Sequence, residues 1–355
     1  MNHDLTQILK SAVEQKASDI FIIAGLPLAY KVQGVTIPQS EERLMPEDTE
    51  VLVGAIFNIA GGSHTYETFK NSGDSDFSFS VKDVGRFRVN AYSQRSSYAA
   101  VLRIVYFNLP DPDELGIPKA VMDLSKRTKG LMLVTGPAGS GKSTTLACII
   151  DRINATRNCH IMTLEDPIEF LHRHKKSIVS QREIPTDSSS YLQALRASLR
   201  QSPDVILVGE MRDMETINIA LTAAETGHLV LSTLHTMGAA NTVDRIIDVF
   251  PAGQQQQVRI QLALVLQAVV SQQLLQSDSK GRACAFEIML NTTAISNLIR
   301  ESKLHQINGV MHSSAELGMQ TMDNSLIALV KSGVITRDVA LTHSGNPDAL
   351  AKLLV

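Results

Sequence analysis

With 355 residues, the chain is long enough for two domains of ordinary size, and its 44% hydrophobic and 19% charged residues exclude intrinsic disorder. A net charge of −3 argues against a general nucleic-acid coat, and three widely spaced cysteines exclude a disulfide framework and favour a reducing compartment. The first residues lack a secretory signal pattern, and the longest apolar stretch, 262–270, is too short to span a bilayer, so we expect a cytoplasmic protein.

The first hundred residues have the pattern of a mixed α+β domain. Apolar residues at helical spacing predict a helix over 4–16, and Pro46 together with Gly61-Gly62 delimits a second helix over 46–60. Short β-like runs separated by turn residues predict an antiparallel sheet with strands at 19–24, 28–33, 76–81, 86–92 and 98–106. The next segment, 109–118, is rich in proline, and we interpret it as a linker between domains over 1–108 and 119–355.

Beyond the linker, strand-like apolar runs alternate with helical patterns. The runs lie at 131–135, 160–163, 205–208 and 229–233, and the helices at 143–153, 191–200 and 214–224. This alternation predicts a parallel sheet with crossover helices, which is an α/β core. After Pro251 the pattern favours helices, including one over 257–272, so we expect a helical C-terminal tail.

A phosphate-binding loop is the strongest motif. Residues 136–143, Gly-Pro-Ala-Gly-Ser-Gly-Lys-Ser, match GxxxxGK[ST] between a predicted strand and a predicted helix. In such loops the glycines let backbone N–H groups surround phosphates, the lysine (Lys142) reaches the β- and γ-phosphates and the serine (Ser143) binds Mg²⁺, which predicts ATP and Mg²⁺ as ligands. The expected nucleotide-binding residues are Gly136, Pro137, Ala138, Gly139, Ser140, Gly141, Lys142, Ser143 and Thr144.

Two further strands end in carboxylates. Glu210 follows the run 205–208 at the end where α/β sheets place their ligand chemistry, so we interpret it as a Walker B acid that also serves the metal. Glu165 and Asp166 end the run that Pro167 terminates, and Glu169 follows. Spacing does not decide which of these three acids faces the nucleotide.

Two histidines and two arginines leave alternatives open. His228 and His235 bracket a strand; His235 is either a structural residue or a sensor of the γ-phosphate, and the spacing is a poor one for a metal site. Arg88 and Arg103 lie on adjacent predicted strands and belong either to a solvated face or to a pair of arginine fingers acting on a neighbouring subunit. The basic run 172–176 is interpreted as a solvated loop.

Four motifs, in order along the chain, resemble the nucleotide-site boxes of bacterial secretion ATPases. They are the loop at 136–143, Leu-Glu-Asp-Pro-Ile-Glu-Phe at 164–170, Asp-Val-Ile-Leu-Val-Gly-Glu-Met-Arg-Asp at 204–213 and Thr-Gly-His-Leu-Val-Leu-Ser-Thr-Leu-His-Thr at 226–236. Segments 17–20 and 85–91 resemble the family's PAS-like N-terminal domain, and 294–301 and 318–323 resemble C-terminal segments of type IV pilus retraction motors. The resemblance implies an α+β PAS-like N-terminal domain followed by an α/β RecA-like P-loop ATPase domain.

The same resemblance implies a homohexameric ATPase that drives pilus retraction through an inner-membrane platform protein, at the inner face of the cytoplasmic membrane. The pilin fibre is then an indirect partner and no nucleic acid is involved. By this resemblance Glu165 activates water, Glu210 is the Walker B acid, His228 and His235 form the His box, and Arg88 and Arg103 are the arginine fingers.

Other classes of motor fit less well. Pilus-assembly and type II secretion ATPases resemble this chain too, but many carry a four-cysteine zinc insert and an additional N-terminal domain, and this sequence has neither feature. A nucleic-acid motor calls for basic surfaces with interleaved aromatic residues, whereas aromatics are 5% here and tryptophan is absent. A ring subunit that binds ATP without turnover would lack the acids. Phe21, Ala138 and Ser296 stand where the family more often has His, Thr and Arg.

Overall fold

The computed structural model describes residues 4–32, 34–61, 65–105, 109–277 and 281–354. The chain forms two compact units, one of Met1–Asn108 with Pro167–Leu171 and the other of Leu109–Asp166 with His172–Val355. The boundaries 1–108, 109–118 and 119–355 remain a prediction. None of the helices in the described ranges is both long enough and apolar enough to cross a membrane.

The described residues of the first unit form a six-stranded antiparallel sheet and three helices. The strands are β1 (Asp19–Ile22), β2 (Pro27–Val32), β3 (Val35–Arg43), β4 (Asp74–Val81), β5 (Gly85–Gln94) and β6 (Ser97–Val105), in the order β3-β2-β1-β6-β5-β4. The helices are α1 (Leu5–Glu14), α2 (Pro46–Ala60) and α3 (Tyr66–Ser72). Asp4 caps the first turn of α1, and Pro46 begins α2, where its missing N–H costs nothing. The predicted α+β class of this part is therefore observed.

Two elements of this unit escaped prediction, β3 and α3. Nearly every residue of β3 is exposed, so the strand has none of the apolar alternation by which strands are recognised. The predicted ends at Gln33 and Tyr106, and Gly62 at the end of the second helix, lie outside the described residues.

The second unit contains a seven-stranded sheet. Its strands are β7 (Gly130–Thr135), β8 (His160–Glu165), β9 (Ile178–Glu183), β10 (Val205–Val208), β11 (Leu229–Leu234), β12 (Leu266–Ser277) and β13 (Gly281–Leu290), in the order β13-β12-β7-β11-β10-β8-β9. Only β13 is antiparallel to its neighbour within the described sheet. Apolar clusters cover both faces, which explains why β7 and β10 are continuous apolar runs.

Helices surround this sheet and form the C-terminal part of the unit. They are α4 (Lys119–Met122), α5 (Lys142–Thr156), α6 (Tyr191–Ser198), α7 (Met214–Glu225), α8 (Ala239–Asp248), α9 (Ala252–Val265), α10 (Thr293–Arg300), α11 (Ile307–Ser313), α12 (Met322–Lys331), α13 (Arg337–His343) and α14 (Pro347–Leu353). The predicted α/β core is confirmed, and so is each strand and helix predicted between 131 and 233, apart from shifts at their ends.

The mostly helical tail predicted after Pro251 is wrong in its first part. The helix expected over 257–272 ends at Val265, and β12 begins at the next residue. Nearly all of β12 is buried, so its apolar run has no alternation and does not distinguish a buried strand from a buried helix. The tail is helical from Thr293 onwards. The polar strand β9 was also missed.

Candidate functional site

The phosphate-binding loop connects β7 to α5. Every residue of β7 is buried, so the strand presents Gly136 at a fixed position on the carboxyl edge of the sheet. A Cβ at Gly136 would collide with the main-chain oxygen of Gln272, and Gly136 and Gly141 have φ values of 141° and 89°, which favour glycine. The loop therefore has the tight, side-chain-free backbone that a phosphate cradle requires.

The lysine and serine of the motif lie at the start of α5. Lys142 is only 8% exposed, and its Nζ donates to the carbonyls of Gly136 and Pro137, both at 2.9 Å. Gly141 precedes α5 and offers no side chain to cap its first turn, so the N–H groups and dipole of the helix favour an anion there. Ser143 lies in the same turn. These residues fit a nucleotide phosphate chain.

The carboxyl edge of the sheet carries the predicted acids and one histidine as well as this loop. Glu165 ends β8, Glu210 follows β10 after one residue, and His235 follows β11. The parallel register of β7, β11, β10 and β8 puts all four strand ends at one edge. The structure therefore gathers Lys142, Glu165, Glu210 and His235 in the second unit.

The carboxylate of Glu210 contacts one arginine and one histidine. Its side chain is 16% exposed; Oε1 lies 2.7 Å from Nη2 of Arg212, and Oε2 lies 3.5 Å from Nε2 of His235. The histidine contributes charge only when it is protonated. Sequence analysis did not single out Arg212 as a partner of Glu210, although it stands two positions after the acid. Because each of its two oxygens has a neighbour, the Glu210 carboxylate is held in one orientation.

Glu165 is held by two polar residues. Its Oε1 accepts a hydrogen bond from the Thr163 hydroxyl at 2.6 Å and another from Nε2 of Gln181 at 3.3 Å. Gln181 comes from β9, the strand that was not predicted. Asp166, the neighbouring acid, is exposed, whereas Glu165 is half-buried.

Tyr191 is a further residue of the site that sequence analysis missed. A Cβ at Gly209 would lie 2.7 Å from the Tyr191 hydroxyl and 3.1 Å from the Leu164 carbonyl, so the phenol packs on the backbone that carries Glu210. Burial, and next the charges of Asp166, Glu210 and Glu165, raises the pKa of Tyr191 above its ordinary value, which keeps the phenol protonated.

His228 lies at the other end of β11. Its backbone N–H donates to the Ala223 carbonyl at 3.1 Å, and its Nδ1 lies 3.0 Å from the same oxygen. Because β11 has six residues, about 20 Å separates the two strand ends. Within one chain His228 is not brought to the carboxyl edge, and its part in a His box stays a prediction.

The two arginines belong to the first unit. Arg88 on β5 and Arg103 on β6 face each other in register. Arg88 forms a two-pronged ion pair with Asp76, with distances of 2.9 and 3.2 Å, and Nε of Arg103 lies 3.0 Å from Oδ1 of Asp19. Asp19 is 5% exposed whereas Arg103 projects into solvent. The predicted adjacency is confirmed, and the two aspartates were missed.

The basic run at 172–176 is a loop, as expected, but it is anchored. Lys175 pairs with Asp151 at 2.7 Å, and the side chain of Asn154 bonds the backbone of Arg173 and Lys175. Burial lowers the pKa of His172 to about 4, so this histidine is neutral at pH 7. These contacts attach the loop to helix α5, so the loop is more than a solvated surface.

Three of the known proteins with similar sequence or structure match almost the whole chain. The type IV pilus retraction ATPase PilT of Pseudomonas aeruginosa is 45% identical, over 97% of this chain and 99% of its own. A twitching motility protein of Neisseria gonorrhoeae is 47% identical, over 98% of this chain and 92% of its own. A crystal structure of the pilus retraction motor PilT with bound ADP superimposes with a TM-score of 0.89 at 48% identity, covering 98% of this chain and 99% of its own.

The family model described as "Type II/IV secretion system protein" matches residues 1–340, which is nearly the whole length of the chain. That match includes the phosphate-binding loop, both acids and both histidines. The chain belongs to the type II/IV secretion system protein family.

Proposed function

We propose that this protein is an ATP-driven motor that retracts type IV pili. The main support for the proposal is that the phosphate-binding loop, Glu165 and Glu210 all lie at the carboxyl edge of the second sheet. The end-to-end similarity to proteins named for pilus retraction and twitching supports the biological role.

In the proposed reaction, residues 136–144 bind the phosphates of ATP, and the ammonium of Lys142 exchanges its loop carbonyls for β- and γ-phosphate oxygens. Ser143 and Glu210 hold Mg²⁺, which neutralises phosphate charge when it is bound. In the described ranges no cluster of three His, Cys, Asp or Glu residues forms a metal site, and Mg²⁺ commonly relies on one or two protein groups plus phosphate oxygens. Glu165, oriented by Thr163, positions the attacking water and accepts its proton.

The ring geometry is part of the proposal. Six copies assemble, and Arg88 and Arg103 of one subunit neutralise developing charge on the nucleotide of its neighbour. Their ion pairs with Asp76 and Asp19 favour this role because each carboxylate fixes the orientation of the guanidinium that it contacts. His235 senses loss of the γ-phosphate through its contact with Glu210.

The motor acts at the inner face of the cytoplasmic membrane. A PAS-like first domain and a RecA-like second domain change their relation during hydrolysis and pull pilin subunits from the fibre through an inner-membrane platform protein. Nucleic acid has no part in the cycle. A pilus-assembly or type II secretion ATPase is the alternative; a zinc insert built from four cysteines is impossible with the three cysteines of this chain.

The test replaces the native gene by the Glu210→Gln variant in the source strain and counts surface pili and twitching zones. We expect more pili and no twitching. Cells without pili would establish an assembly motor instead, and unchanged pili would show that the protein serves another machine. Glu316→Gln, at an exposed glutamate outside the site, is the matched control and leaves both readouts unchanged.

A further inference from the structure

A buried glutamine on β12 lies directly beside the phosphate-binding loop. Gln272 is 1% exposed, although it has a polar side chain. β12 pairs with β7, and Ser271 is the register partner of Thr135, the last residue of β7. Gln272 is therefore one step further along, at the level where the chain leaves the sheet to form the loop.

Both ends of the Gln272 amide are bonded to the loop and its helix. Nε2 donates to the Ser140 carbonyl at 2.6 Å, and Oε1 accepts from the Thr145 hydroxyl at 2.9 Å. A carbonyl only accepts, so the amide is oriented with its nitrogen towards Ser140. The side chain thus joins the middle of the loop to the first turns of α5.

This bond determines which way a loop N–H points. In a planar trans peptide the carbonyl and the following N–H point in opposite directions. Holding the Ser140 carbonyl towards Gln272 turns the N–H of Gly141 away from β12. Gly141 also packs on the same amide, since a Cβ there would lie 2.8 Å from Nε2 of Gln272.

We propose that Gln272 is a positioning residue of the nucleotide site: it fixes the peptide between Ser140 and Gly141 so that the loop presents its N–H groups to phosphate. The inference rests on the proposed ATP binding. Gln272 does not touch the nucleotide itself in this role; it acts through the loop backbone, and it stabilises the binding-competent loop before ligand arrives.

The first test measures the dissociation constant of fluorescent ADP with Mg²⁺ for the full-length protein and two variants. Gln272→Met keeps a side chain of similar length and removes the hydrogen bonds to Ser140 and Thr145, together with the long contact to the Cys284 sulfur. Gln273→Met is the matched control, because Gln273 is 6% exposed on the same strand and bonds the His343 carbonyl and ring instead. We expect Gln272→Met to weaken ADP binding about tenfold, the effect of one unsatisfied buried acceptor, and Gln273→Met to change it less than about twofold.

A second pair of variants, at Thr145, tests the same inference if the Gln272 variant does not fold. Thr145→Val removes only the hydroxyl that orients the amide, and Thr145→Ser retains it. We expect about a threefold loss of ADP affinity for Val and none for Ser, and no additional loss when Val is combined with Gln272→Met.

The outcomes separate this inference from the proposed function. If the wild-type protein does not bind ADP, the proposed nucleotide site and the role of Gln272 are both refuted. If the wild type binds and Gln272→Met binds equally well, only the positioning role is refuted. Equal losses in the Gln272 and Gln273 variants, following their thermal midpoints, would assign Gln272 a general structural role and also refute the inference.

Discussion

Gly136→Ala provides a sharp test of the loop geometry. The new Cβ would collide with the main-chain oxygen of Gln272, and it would lie 2.8 Å from the Ser140 hydroxyl and 3.2 Å from the Gln272 carbonyl carbon. β12 is a buried strand bonded on both sides, so the loop and not the strand must move. A φ of 141° adds backbone strain for alanine.

The magnitude follows from those two effects. Backbone strain costs about 1–3 kcal/mol and the steric overlap about 1–3 kcal/mol, so the native loop loses about 4 kcal/mol in total. That energy corresponds to a several-hundredfold weaker binding of ADP. The assay is titration of the full-length protein with fluorescent ADP and Mg²⁺, with the thermal midpoint of the nucleotide-free protein recorded for each variant.

Gly139→Ala is the matched control in the same loop. Gly139 has a φ of 75°, but no atom lies within 4 Å of a Cβ placed there. Only the left-handed backbone is penalised, by about 1–2 kcal/mol, so we expect about a tenfold loss of affinity. Equal dissociation constants for the two variants would refute the argument that contact with β12 shapes the loop.

Three further predictions concern residues around the site and the core. Thr163→Val removes the hydrogen bond to Glu165 and should lower ATP turnover about fivefold while ADP affinity stays unchanged. Thr163→Ser keeps the hydroxyl and should retain normal turnover. Steady-state kinetics would contradict this prediction if the Thr163→Val variant were as active as the wild type. Asp76→Asn should change the free energy of unfolding by less than about 1 kcal/mol, because the ion pair with Arg88 is exposed. The same variant should lower the ATPase activity of the assembled protein. Undiminished activity would count against a role for Asp76 in orienting Arg88. Burial raises the folded-state pKa of Glu287, so the folded state binds a proton more tightly than the unfolded chain, and stability should fall as pH rises from the ordinary glutamate pKa through the raised one. Chemical denaturation across that window should show the slope in wild type and a flatter one in Glu287→Gln; identical slopes would refute the assignment.

Local patterns were sufficient for much of the fold and for the core of the site. The helix Pro46–Ala60 and the strand Val205–Val208 were predicted at their observed bounds, because a proline start and a short apolar run are local signals. The phosphate-binding loop was likewise predicted from eight consecutive residues. Glu210 was placed at the carboxyl edge because the ends of parallel strands share one edge, whereas spacing left Glu165, Asp166 and Glu169 as alternatives and only the family resemblance favoured Glu165.

Sequence patterns do not predict a strand when uniform burial or uniform exposure removes the alternation of polar and apolar residues along it. β12 is buried along almost its whole length, so the pattern of its first residues predicts a helix. β3 is exposed along nearly all of its length, so its pattern predicts no strand. The same error concealed Gln272, since a glutamine assigned to a helix gives no reason to expect contact with the loop.

The chemistry that neighbouring residues carry can be read from the chain alone: a phosphate-binding loop, acids at strand ends, and strands that alternate with helices. The distant residues that support this chemistry become visible only in the three-dimensional fold. Gln272 lies 132 positions from Ser140, and Asp19 lies 84 positions from Arg103, yet each pair is hydrogen-bonded. These contacts depend on the order and register of strands in a sheet, which bring together residues that have no local relation along the chain.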